Sequence, residues 1–256
     1  MELREKILKT ANSFVNTLIV IILLTATLYA GYSLWDNYRV YHEAEDVQAD
    51  LLRLKPDINS DSQDSISESF EELRAINGDV CAWLTIDNTK IDYPVLQGED
   101  NFSYINTNVY GEFSLSGSLF LDTRCSRDFS DMYSLIYGHH ISNGNMFGDL
   151  DKFKEKDFFA KNKTGVLITP EKTYDLKIFA VLVVQDSNEI IFNPETNTEI
   201  TGILDCVDTW SLFKDEKRTE ILKEKGNSAQ ILSMSTCSSE FTDARTVLLA
   251  QMIPKK

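Results

Sequence analysis

The chain opens on one long apolar stretch and then changes character. Residues 11–35 contain no Asp, Glu, Lys, Arg or His, and within them lies the unbroken run Leu18-Ile19-Val20-Ile21-Ile22-Leu23-Leu24. As a helix rising about 1.5 Å per residue, 14–35 reach ~33 Å, the thickness of a bilayer's hydrocarbon core. Beyond it the pattern breaks into short runs of strand character at 80–86, 91–96, 118–122, 133–138, 165–169, 173–184, 229–236 and 245–252. Helical spacing is confined to three places. Ser65 and Glu68 stand at capping-box spacing ahead of the stripe Ile66, Phe70, Leu73 and Ile76; a second signal covers 145–159; and Ile200, Ile203, Leu204, Val207 and Trp210 mark a third over 199–213. Eight strands with few helices predict a mainly β chain closed, or nearly closed, into a barrel with helices in its connections. Between anchor and barrel, 36–65 is polar and acidic. Pro56 and the cluster Asn59-Ser60-Asp61-Ser62 interrupt its helical character, so it reads as a spacer.

Charge gives the apolar stretch a direction. Arg4, Lys6 and Lys9 precede it and Asp36, Glu43, Glu45 and Asp46 follow, which places the N-terminus in the cytoplasm and the rest outside, with Tyr29, Tyr32 and Trp35 at the outer interface. A cleaved signal peptide shares the basic start and apolar core. Here the run is longer than a usual signal core, and Thr25-Ala26-Thr27 is a poor cleavage site, so a retained single-pass anchor is expected. The net charge is -15, and beyond residue 35 it is -16 (22 basic against 38 acidic residues), which would repel a phosphate backbone and argues against a nucleic-acid partner. Hydrophobic residues make up 43% of the chain, enough for a sizeable folded core.

Four cysteines outside a membrane admit three disulfide pairings. Cys81 sits in a strand pattern and Cys206 on the striped helix, settings usual for a buried thiol, and neither a Cys-x-x-Cys nor a metal-ligand spacing occurs. Cys237 differs, because it closes the run Ile231-Leu232-Ser233-Met234-Ser235-Thr236 and so falls at a strand end. Arg245 opens the next strand, and in a hairpin the two would face each other at roughly 5 Å. A permanent cation beside a thiol suits a thiolate or the oxyanion of acyl transfer. His42 lies in the spacer, while His139 and His140 follow the strand ending Tyr137-Gly138 and can supply an imidazole to exchange the thiol's proton. A cysteine that only packs and an arginine that is only a surface charge fit the same spacing.

With these residues the chain resembles the class B sortases, membrane-anchored cysteine transpeptidases of Gram-positive bacteria. Tyr137-Gly138-His139 is similar to the family's histidine motif and Ser235-Thr236-Cys237 to its nucleophile motif, and Arg245 stands at the family's spacing within Glu240-Phe241-Thr242-Asp243-Ala244-Arg245. Further stretches agree in order: Asp92-Tyr93-Pro94-Val95-Leu96-Gln97 with Asp100-Asn101, Gly117-Ser118-Leu119-Phe120-Leu121-Asp122, and Met146-Phe147-Gly148-Asp149-Leu150. The resemblance implies an eight-stranded sortase-type barrel with N-terminal helices and a long helix before the nucleophile strand, for which 199–213 is the candidate. The implied organisation is a cytoplasmic 1–13, an anchor at 14–35, a spacer at 36–65 and a catalytic domain at 66–256.

By the same resemblance, Cys237 is the nucleophile, His139 the general acid and base, and Arg245 the group that holds substrate and oxyanion, while Asn101, Tyr137, Ser235 and Glu240 line the peptide groove. Two departures stand out. The nucleophile motif reads Leu-Ser-Met-Ser-Thr-Cys where many members have Leu-Ser-Thr-Cys, and Glu189-Ile190-Ile191-Phe192 occupies a place where class B members often carry a peptide-contacting tyrosine. The implied partners are secreted proteins with a C-terminal sorting signal and an amine of a peptidoglycan cross-bridge or its lipid-linked precursor. No metal or organic cofactor is implied. A pilin-polymerising sortase, using a lysine side chain as the amine, and a non-enzymatic surface adhesin are the alternatives.

Overall fold

The computed structural model describes residues 2–57 and 63–255. The chain divides into two compact units between His42 and Glu43. The first is purely helical, the leading part of α1 (Glu2–Leu51), whose apolar window has a mean hydropathy of 2.0 and no buried residues. Three threonine hydroxyls within it bond back along the helix, Thr17 donating to the Ser13 carbonyl (2.9 Å), Thr25 to that of Ile21 (3.0 Å) and Thr27 to that of Leu23 (2.8 Å). No polar hydrogen of these threonines needs an outside partner, as an apolar solvent requires.

The second unit is a β-barrel with its coverings. Its strands are β1 (Val80–Ile86), β2 (Asp92–Leu96), β3 (Leu119–Leu121), β4 (Tyr133–Tyr137), β5 (Thr164–Ile168), β6 (Thr173–Gln185), β7 (Ser211–Lys214), β8 (Gln230–Cys237) and β9 (Ala244–Pro254). They pair in the order β5-β1-β2-β3-β4-β8-β9-β6, and β6 pairs again with β5, which closes eight strands; β7 adds to β6 outside the closure. The pairings β2–β3 and β4–β8 are parallel, the others antiparallel, so the barrel is mixed. All eight strands expected from the pattern are present. Runs such as Ile231–Thr236 are buried on both faces, because the barrel interior takes one set of side chains and the surrounding helices and loops cover the other.

The segments between the strands depart more from expectation. The stretch 36–65 is not a free spacer throughout: 36–51 continues α1, and from Glu43 onward that helix belongs to the barrel unit. There Ala44 and Leu51 are buried, Gln48 donates to the Lys90 carbonyl (2.9 Å), and Lys55 pairs with Asp92 (2.8 Å). Leu51 shares a core with Phe70, Leu73, Trp83 and Phe120. The cluster Asn59-Ser60-Asp61-Ser62 lies outside the described residues. Helix α2 (Gln63–Ile76) starts ahead of Ser65, which therefore sits inside the helix instead of capping it; of the expected stripe, Ile66, Phe70 and Leu73 are buried, while Ile76 at the helix end is exposed.

The signal at 145–159 resolves into a 3-10 turn (Gly148–Lys154) and the short α3 (Lys156–Lys161), divided by an extended Glu155. After α4 (Glu189–Phe192), the stripe over 199–213 becomes α5 (Ile200–Trp210), which ends where the chain turns to form β7 on β6. A further helix, α6 (Glu216–Lys225), leads toward β8, its first turn capped by Asp215 accepting from the Arg218 N–H (3.1 Å). The helical stretch before the nucleophile strand is thus two helices split by a strand. The sequence pattern misses α6 because only Thr219 and Leu222 are buried on it.

Candidate active site

The site lies at one rim of the barrel, where β4 and β8 end and β9 begins. Tyr137 pairs with Ser235 across parallel β4 and β8, and Cys237 pairs with Arg245 across antiparallel β8 and β9. Burial is continuous along β8 until Cys237, its last residue, which is exposed. All four cysteines are free thiols, but Cys81, Cys125 and Cys206 are buried, and burial pushes the thiols of Cys81 and Cys125 up to about 12. Only Cys237 is both accessible and placed at a cleft.

That cleft, about 140 Å³, is lined by Ile105, Phe120, Tyr137, Gly138, His139, Ser235, Thr236, Cys237 and Arg245. The three candidate reacting groups therefore border one cavity. His139 leaves β4 through Gly138, where a Cβ would fall 2.3 Å from a Leu119 methyl and 2.8 Å from the Phe147 ring, so any larger residue would have to push those side chains aside. The imidazole is fixed from behind: Nε2 lies 2.7 Å from the Ile105 carbonyl oxygen, and the His139 carbonyl accepts from the Phe147 N–H (3.0 Å). A carbonyl only accepts, so Nε2 carries a hydrogen and Nδ1 is left to exchange a proton. His140 points elsewhere, pairing with Asp151 (2.7 Å).

Two of the four expected groove residues line the cleft, Tyr137 and Ser235. The Ser235 hydroxyl is buried and has no hydrogen-bond partner among the described residues. Asn101 and Glu240 are not among the lining residues. Asn101 instead donates to Asp122 (3.0 Å), and Glu240 accepts from Lys154 (2.6 Å) and from Ser238.

Asp122 has no role in the sequence reading, although it ends one of the stretches that carry the resemblance. Its carboxylate is fully buried and accepts from Arg124 Nη2 (2.7 Å), Arg124 Nε (2.9 Å), the Arg124 N–H (3.0 Å), Asn101 and the Tyr137 hydroxyl (3.1 Å). Burial would raise its pKa, but the Arg124 guanidinium and these donors outweigh it and hold the carboxyl below its usual range. Arg124 also donates to the Phe192 carbonyl (2.7 Å), tying the end of α4 to the barrel. Spacing cannot reveal such a hub, because its partners come from three separate segments.

On the other side, burial would raise the Glu240 carboxyl, yet Lys154 and Ser238 bring it down to about 2. Lys154 is shared with Asp151 (2.6 Å). Arg245 donates through Nη1 to the Ala244 carbonyl (3.0 Å) and through Nη2 to Asp186 (3.2 Å).

A Sortase domain family model matches residues 84–253. The chain is 30% identical to a sortase B of Listeria monocytogenes over 95% of its own length and 98% of the relative's. Among solved structures, a Streptococcus pyogenes class B sortase involved in pilus biogenesis is 40% identical, with a TM-score of 0.65 over 72% of this chain and 97% of that one. A Bacillus anthracis protein similar to sortase B is 29% identical, with a TM-score of 0.71 over 84% and 98%. The mixed eight-stranded closure accords with these likenesses, and the chain belongs to the sortase family of cysteine transpeptidases, in its class B branch.

Proposed function

We propose that this chain is held in the cell membrane by residues 14–35, N-terminus inside, and that it cleaves a C-terminal sorting signal after threonine and joins the released protein to a peptidoglycan amine. The observation that carries this reading is the pairing of Cys237 with Arg245 at the mouth of β8 and β9, with His139 lining the same cleft. The Cys237 thiolate attacks the threonine carbonyl, and an Arg245 N–H stabilises the oxyanion. As the C–N bond breaks, the imidazolium gives its Nδ1 proton to the leaving amine, while its Nε2–H stays on the Ile105 carbonyl. The thioester is then attacked by the acceptor amine, whose proton passes to His139 as Cys237 leaves as thiolate. The unpartnered Ser235 hydroxyl and the Tyr137 ring supply contacts for the peptide.

A second reading has its own support: the Streptococcus pyogenes class B sortase involved in pilus biogenesis, to which this chain is 40% identical, favours a lysine side chain as the amine. Covalent ladders of a pilin, instead of wall-linked monomers, would establish it.

The test begins with a library of quenched fluorogenic peptides containing threonine, screened against the full chain in detergent. Cys237→Ala, His139→Ala and Arg245→Ala should each abolish steady-state cleavage of the selected peptide, Arg245→Ala leaving only slow acylation of Cys237, while circular dichroism shows the fold intact. Full turnover by any of them would refute its assigned role. Mass spectrometry should find the acyl group on Cys237 alone.

A further inference from the structure

We propose that Asp186 is the positioning residue for Arg245; the inference rests on the role given to Arg245 above. Asp186 follows Gln185, the last residue of β6, which pairs with Ala244, while Val184 pairs with Arg245. The Asp186 N–H donates to the Asp243 carbonyl (3.0 Å), so its backbone is fixed on the strand beside the arginine. From there its carboxylate accepts from Arg245 Nη2 at 3.2 Å.

Arg245 has a long side chain at a rim, 27% exposed, and left alone it would sample many rotamers. Two anchors prevent this: the Ala244 carbonyl takes Nη1 and Asp186 takes Nη2. Two points fix the plane of a guanidinium, and Nε–H remains uncommitted by either bond. Because Arg245 lines the cleft, a fixed plane keeps its remaining N–H groups aimed at one place instead of several.

Stability does not account for the pair. Asp186 is 45% exposed, and an ion pair so open to water contributes little to folding. Its consequence is orientation. A carboxylate that instead drew Arg245 away from the substrate would act in the opposite direction, and its removal would speed the reaction.

The experiment uses the full chain in detergent and the fluorogenic peptide selected above. Asp186→Ala is expected to lower kcat about tenfold with KM changed less than twofold, a part of the effect of deleting an oxyanion donor outright. Asp186→Asn, which keeps an acceptor oxygen, should recover at least half of the wild-type kcat. In an Arg245→Ala background, with acylation of Cys237 followed by mass spectrometry over hours, Asp186→Ala should cause no further loss. An unchanged or raised kcat in Asp186→Ala, no recovery in Asp186→Asn, or an equal fall in both backgrounds would overturn the proposal. Full turnover by Arg245→Ala alone would instead sink the reading on which it rests.

Discussion

The two flanks of the cleft are built from different physics. On the histidine side, Tyr137 and Asn101 converge on a carboxylate with no exposed surface, and the imidazole rests on a backbone carbonyl. On the cysteine and arginine side, the β8–β9 connection and the end of β6 are held by Lys154 with Glu240 and by Asp186 with Arg245, carboxylates 38% and 45% exposed. The bond lengths are similar, yet the consequences of losing them are not. A buried acceptor removed leaves donors stranded out of water, whereas an exposed one is replaced by solvent. One flank is therefore a buried wall and the other a solvated lip.

The comparison can be broken most directly at the buried hub. Asp122→Ala leaves Arg124, Asn101 and Tyr137 without their common acceptor and is expected to destabilise the domain by about 3 kcal/mol, the low end for a broken buried pair because Arg124 can reach water. A thermal melt should show Tm lower by ~6–12 °C. A drop within 2 °C would show that the histidine wall does not depend on this charge.

Next comes the carbonyl behind the imidazole. Gly117 has φ +57°, and a Cβ there would lie 2.2 Å from the Ile105 oxygen that accepts from His139. Gly117→Ala should displace that oxygen and lower kcat on the order of 100-fold, the scale of a misplacement of about 1 Å at a reacting group. Steady-state kinetics with a fold check reads this directly, and wild-type turnover would remove Ile105 from the mechanism.

The lip should respond less. Glu240→Gln is expected to change stability by less than about 1 kcal/mol, as exposed pairs do, with Tm moving no more than ~4 °C. A larger loss would mean that the lip behaves like the buried wall.

The smallest effect is a pH dependence. A carboxyl at about 2 in the folded protein, against ~4.3 unfolded, stabilises the native loop fully above pH ~5, and that contribution fades as pH falls toward 2. Pepsin nicking at the exposed Phe241 should therefore be slower in wild type than in Glu240→Gln at pH 4, and equal in the two at pH 2. Equal rates at both values would show that Glu240 does not pin the loop.

Much of this was legible in the chain itself. The eight strands, the anchor-length helix and the cysteine and arginine at facing strand ends follow from apolar runs and their boundaries, since a strand end is a local event marked where the run stops. What failed did so for nonlocal reasons. The pattern over 199–213 continues past Trp210, but pairing with β6 turns the chain into β7; α6 shows little stripe because it buries only two residues.

Sequence alone determined the eight strands, the membrane-length segment and the facing strand-end positions of Cys237 and Arg245, because each is written in contiguous residues or one short spacing. Only the tertiary structure decided that Asn101 and Tyr137 meet on Asp122, that Ile105 backs His139 and that Asp186 holds Arg245. Those contacts join segments far apart in the chain, and their strength depends on how much water the fold excludes from each, which no linear pattern encodes.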